Sequence, residues 1–170
     1  MKFRIVKKEA YQVFGKEITV SNAEGLSYEQ VPEFWLRCMK DGTLAHISRL
    51  ADKERTGNQL LGAVLYDYAP DGSHKYMIGT EASLDVEAPP GFDTITVPAA
   101  TWAVFETSSA EAADVTGDIQ DIWKRVFTEW FPLSGYEHAR TPELEVYYDR
   151  ENGRFRSEVW IPVVKTSAMA

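Results

Sequence analysis

The chain has 170 residues, 44% of them hydrophobic, and its 26 acidic against 18 basic side chains give a net charge of −8. That length and apolar content build one good core, so a single domain is expected over residues 1–170, and the acidic balance, with no Lys/Arg cluster, excludes a phosphate-neutralising nucleic-acid surface. The lone cysteine, Cys38, excludes an internal disulfide, while the absence of an apolar signal core in "MKFRIVKKEAYQ", or of any membrane-length apolar run, makes the cytoplasm the expected location.

The first element is an extended segment, "KKEAYQVFG". A helix follows in which Pro32 suits the first turn, Val31, Phe34, Trp35 and Cys38 form the apolar stripe, and Gly42 supplies the stop. Thr43–Gly57 reads either as a short helix through Leu44, Ile47 and Leu50 or as an ordered loop, with Asp52–Arg55 a solvated face. The turn Pro70–Ser73 joins the strand Leu60–Tyr68 to the strand His74–Ala82. The stretch Glu87–Phe92, with two prolines and a glycine, is a seam too short to separate independent domains.

The second half repeats the order. "VPAATWAVF" is extended, and Ile119, Ile122, Trp123, Val126, Phe127 and Trp130 make one helical stripe that Pro132 and Gly135 end. The turn Glu151–Gly153 joins Leu144–Asp149 to Phe155–Val163. An extended segment, an aromatic helix and a hairpin thus occur twice, in half-repeats of approximately 1–86 and 92–165. A period this long describes half-domains of one pseudo-symmetric fold rather than a stacking solenoid.

A glycine-rich phosphate loop, a nucleophile elbow and His/Cys pairs at metal spacing are all missing, so no cofactor and no metal are expected; His46, His74 and His138 are scattered singles. What remains is aromatic and acidic. Glu158 sits inside an apolar strand, where an ionised carboxylate costs several kcal/mol unless paired. It shares parity with Trp160, as Glu145 does with Tyr147 one strand earlier, which sets acids beside aromatics on alternating faces. Trp35 and Trp123 hold comparable helix positions, facing each other across a sheet groove. The set suits an organic cation, for which an aromatic face contributes about 0.5–2 kcal/mol. It equally suits a general acid or base, since burial raises a carboxyl pKa. For Glu158 alone, an internal partner such as a tyrosine hydroxyl is the structural alternative.

The stretches "VPAATWAVFE", "IWKRVFTEWFPLSGYE", "PELEVYY" and "SEVWIPV" resemble the GyrI-like small-molecule-binding domain, the effector-binding domain of AraC-type and MerR-type transcription regulators. The likeness covers most of the chain and is most specific from Val97 to Val163. It implies an α+β fold of two pseudo-symmetric βαββ halves, an antiparallel sheet with helices flanking a central ligand groove. It places Glu158 at the base of the groove as charge determinant, carries the strand tyrosine and acid over to Tyr147 and Glu145, and matches Trp123 to the helix aromatic. Leu144 stands where phenylalanine is usual. Phe127, Trp160 and Trp35 complete the expected walls.

Regulators of this type add a helix-turn-helix region, for which "MKFRIVKKEA" leaves no room, so a standalone domain without direct nucleic-acid or membrane contact is expected. Its expected ligand is a cationic or amphipathic aromatic compound. Two alternatives accompany that reading. One is a hydrolase of hydrophobic electrophiles resembling the cyclopropanoid hydrolases, with Glu158, Glu145 and Tyr147 as its catalytic groups. The other is a gyrase-inhibitor-like role with a protein partner.

Overall fold

The computed structural model describes residues 1–167. In chain order the elements are β1 (Phe3–Lys8), β2 (Tyr11–Val20), α1 (Ser27–Lys40), α2 (Thr43–Leu50), α3 (Lys53–Thr56), β3 (Gln59–Tyr66), β4 (His74–Ala82), β5 (Asp93–Val97), β6 (Ala100–Ser109), α4 (Val115–Arg125), α5 (Phe131–Ser134), β7 (Tyr136–His138), β8 (Glu143–Tyr148) and β9 (Phe155–Lys165). All nine strands join one antiparallel sheet in the order β1-β6-β9-β8-β3-β4-β2-β5, with β7 added along β9. The mixed α/β fold with two repeated halves is as the sequence predicts. None of the described helices is long and apolar enough to cross a membrane.

The halves meet where β3 pairs with β8, and each lends its first strand to the other. β1 pairs with β6 of the second half, and β5 pairs with β2 of the first. Sequence periodicity had merged β1 with β2, and β5 with β6, into single extended segments. The breaks at Glu9–Ala10 and Pro98–Ala99 turn each chain segment from one half-sheet into the other.

Both helical layers cover the same face of the sheet. Ile119 and Ile122 of α4 and Val126 just beyond its end pack on Ala103, Phe105, Val159, Ile161 and Val163, and Phe34, Cys38 and Ile47 of α1 and α2 pack on Val20, Ala63, Tyr76 and Ile78. The face without helices buries itself by curling: Tyr11, Val13 and Val97 from one end of the strand order join Trp102, Val104 and Trp160 from the other in one cluster. A row of glycines makes room for the curl. Gly15, Gly79 and Gly62 lie opposite one another on β2, β4 and β3. A Cβ on Gly15 would collide with the Ile78 carbonyl oxygen, and one on Gly79 with that of Phe14.

Two local expectations change. The helix expected to hold Pro32 in its first turn begins earlier, at Ser27, because the Leu26 carbonyl accepts from the Glu29 and Gln30 amides and Gln30 Oε1 accepts from the Ser21 amide at 2.8 Å. Pro32 is therefore inside α1, on its exposed side. The ambiguous segment after Gly42 resolves as the two helices α2 and α3.

The glycine row gives the first test. Gly79→Ala should destabilise the protein by about 1–3 kcal/mol or more, as overpacking does. Gly117→Ala, in exposed α4 with nothing within 4 Å of its added methyl, should stabilise it by about 0.5–1 kcal/mol. Urea denaturation midpoints read both; a neutral Gly79→Ala would show that the curl does not depend on the row.

Candidate functional site

Between the two helical layers the centre of the sheet is left uncovered. The gap forms a groove of about 730 Å³, walled by α1 through Val31, Trp35 and Met39, by α4 through Ile119 and Trp123, and floored by Tyr76, Glu145 and Tyr147. A neighbouring lobe of about 490 Å³ shares Val31, Tyr76, Trp123 and Glu145 and extends to Tyr68, Phe127 and Glu143. Volumes of this order hold drug-sized ligands.

Strand register puts the floor residues together. Glu145 and Tyr147 are alternate residues of β8, and Glu145 lies opposite Ala63 of β3 and Val159 of β9, both on the helical face. The carboxylate is buried, 8% exposed, and accepts three hydrogen bonds. Trp123 Nε1 donates to Oε1 at 2.9 Å, and the hydroxyls of Tyr147 and Tyr76 donate to Oε2 at 2.7 and 3.2 Å. The Tyr76 hydroxyl in turn accepts from Trp35 Nε1 at 2.9 Å. Trp35 also meets Tyr147 edge-on, with ring centroids 5.4 Å apart. All of the donors are neutral.

Burial pushes the Glu145 carboxyl above its ordinary range; the bonds from Tyr147, Trp123 and Tyr76 oppose the rise, and the charge of Glu143 adds to it. Burial and the Glu145 charge hold the hydroxyls of Tyr76 and Tyr147 protonated far above theirs.

Of the residues expected at the site, Trp35, Trp123, Tyr147 and Glu145 come together in the groove, and Phe127 lines the neighbouring lobe, half-exposed on a π-helical turn (Val126–Trp130) that follows α4. Glu158 and Trp160 do not line it. Glu158 lies opposite Val146 of β8, one residue out of step with Glu145, so the two carboxylates point to opposite faces of the sheet. On the helix-free face the Glu158 carboxylate, 0% exposed, is fully engaged. Arg4 and Arg156 both donate to Oε1 at 2.9 Å, while Tyr148 and Trp160 both donate to Oε2 at 2.8 Å. Beside Trp160 lies a cavity of about 40 Å³, room for little beyond water. The signal that separates the two glutamates is in the strand itself: Val159, Ile161 and Val163 are the aliphatic set that matches the stripe of α4, so the even-numbered residues face away from the helices.

Tyr76 and Glu143 belong to the groove and were not expected there. Tyr76 was legible from its parity with Ile78 on β4; Glu143 looked like the start of a strand. Among the described residues, no group of three or more His, Cys, Asp or Glu side chains is placed to hold a metal.

The GyrI-like small molecule binding domain matches residues 1–164. Among solved structures, a proposed bacterial transcription regulation protein from Staphylococcus aureus MU50 superposes with a TM-score of 0.74 at 19% identity, covering 96% of this chain and 98% of its own. SAV2435, solved bound to tetraphenylphosphonium, gives 0.76 at 20% identity over 96% and 94%. The C-terminal domain of EcmrR gives 0.51 at 12% over 97% and 98%. At these identities the likeness is one of fold. Comparison with curated proteins finds no match.

The two buried glutamates make opposite predictions. Because Glu145 has a raised folded carboxyl, the folded state holds its proton to higher pH than the unfolded chain does. Its contribution to stability is therefore fully present below the ordinary carboxylate range and is lost as pH rises through the folded value. Glu145→Gln should flatten that decline in urea denaturation measured across the acidic range. Glu158→Ala should instead cost about 1–3 kcal/mol, from the stranded Tyr148 and Trp160 donors, since the part-exposed arginines can turn to water. A Glu158→Ala protein as stable as the parent would refute the structural role.

Proposed function

The chain belongs to the GyrI-like family of small-molecule-binding domains, and on that premise we propose that its groove binds organic cations carrying aromatic groups, with Glu145 as the charge determinant. One observation carries the reading: a buried carboxylate stands on the groove floor with only neutral donors, between the indoles of two opposed helices. Neutral donors offset part of its desolvation but leave the negative charge uncompensated. A ligand cation entering between Trp35 and Trp123 supplies the missing charge, and each aromatic face it meets adds about 0.5–2 kcal/mol. SAV2435, solved with tetraphenylphosphonium, suggests the first probe.

A second reading has its own support, since a carboxyl raised by burial and 2.7 Å from the Tyr147 hydroxyl is suited to proton transfer. Its signature is consumption of a neutral hydrophobic electrophile by the parent protein and not by Glu145→Gln.

Titration calorimetry with tetraphenylphosphonium tests the first reading. Glu145→Gln should weaken binding by about tenfold or more, equivalent to at least 1.4 kcal/mol. Parent affinity should fall as pH drops through the raised Glu145 value, with proton release on binding in that window, because the cation favours the ionised carboxylate. Equal affinity of parent and variant at every pH would defeat the proposal.

A further inference from the structure

The groove has a second carboxylate. Glu143 precedes Glu145 by two residues on β8, so both point to the helical face, separated by the two-residue strand repeat of about 7 Å. The lobe that holds Phe127 and Tyr68 is floored by both, and it is continuous with the tryptophan-walled groove through their shared walls. Glu143 is buried, 6% exposed, yet lies at the floor of this open lobe. Its neighbours are His138, whose Nε2 is 3.2 Å away, and Tyr68, whose hydroxyl is raised by burial and then by the charges of Glu143 and Glu145. Tyr68 stacks on His74 at 4.7 Å, which extends the aromatic surface along the lobe. Among the described residues lining the two lobes, Lys124 is the one lysine or arginine, and it is exposed.

Resting on the reading of the groove as a cation site, we infer that it is selective for elongated aromatic dications, whose two positive centres lie above Glu143 and Glu145 together. A single-centre cation satisfies Glu145 and leaves the second carboxylate without a counter-charge. A rigid dication whose charges are spaced like alternate residues of a strand meets both at once, with its rings against Trp123 and Phe127.

Methyl viologen and N-methyl-4-(4-methylphenyl)pyridinium form a matched pair of probes, equal in shape and ring count but carrying two charges and one. Calorimetry at low salt and mildly alkaline pH should show the dication binding about tenfold more tightly, the order of one screened carboxylate contact. Glu143→Gln should collapse that ratio towards one, whereas Glu145→Gln should weaken both probes. On the unaltered protein, dication affinity should fall more steeply with added salt than that of the monocation, a readout that does not depend on the variants folding. Equal affinities, or equal salt slopes, for the two probes would overturn the inference while leaving the cation site intact. Failure of both probes and of tetraphenylphosphonium to bind would overturn the cation reading itself.

Discussion

The Glu145 carboxylate is the point at which the two halves of this molecule are tied together. It lies on β8 beside the β3–β8 seam and takes bonds from Trp123 on α4 and from Tyr76 on β4, while Tyr76 passes the connection on to Trp35 of α1. Both helices that wall the groove are thus oriented by one buried anion. An apolar residue there would remove a desolvation cost but would also release both indoles from their fixed directions. The same interaction therefore sets groove geometry and groove charge, and changing one changes the other.

The contrast with Glu158 shows what distinguishes a structural buried carboxylate from one left available. Glu158 carries two guanidinium donors, a phenol and an indole, so its charge is matched within the fold. One of those guanidiniums comes from Arg4 on β1, the strand lent to the second half, so the ion pair fastens the exchanged strand across β6 to β9. Glu145 has a similar number of donors and none of the charge. Hydrogen-bond satisfaction is alike in the two sites; charge compensation is not, and the uncompensated one faces the cavity.

Much of this was legible in the sequence. Stripes such as Ile119, Ile122 and Val126, and the turns around Gly72 and Gly153, located helices and hairpins because burial on one face imposes a period that the residues display directly. Parity also set Glu158 with Trp160 and Glu145 with Tyr147, each pair on one face of its own strand. Parity is relative, however, and does not say which face the helices cover. That depends on register between strands, which Val146 opposite Glu158 decides. The exchange of β1 and β5 was hidden for a related reason: the partner of β1 is about a hundred residues away in sequence and that of β5 about eighty, separations to which a local pattern is blind.

Those long-range pairings also explain why there is a groove. The exchanged strands and the glycine row let the sheet curl towards its helix-free face, closing Tyr11 and Val97 against Trp102 and Trp160. The helical face is then the outer, convex one. Helices seated on the two arms of such a surface are held apart over its crest, and Glu145 and Tyr147 of β8 with Tyr76 of β4 floor the gap between them. At the crest the halves differ. Ala63 of β3 stands directly opposite Glu145 of β8 but lies in the core under Phe34, Cys38 and Ile47, so one half contributes a carboxylate to the groove floor and the other a small core residue. A bulky residue at Ala63 would overpack that core, and a second acid there would repel Glu145 across the strand pair. The pseudo-symmetry builds the cavity, and its breach at this one pair of residues leaves the charge on the β8 side alone.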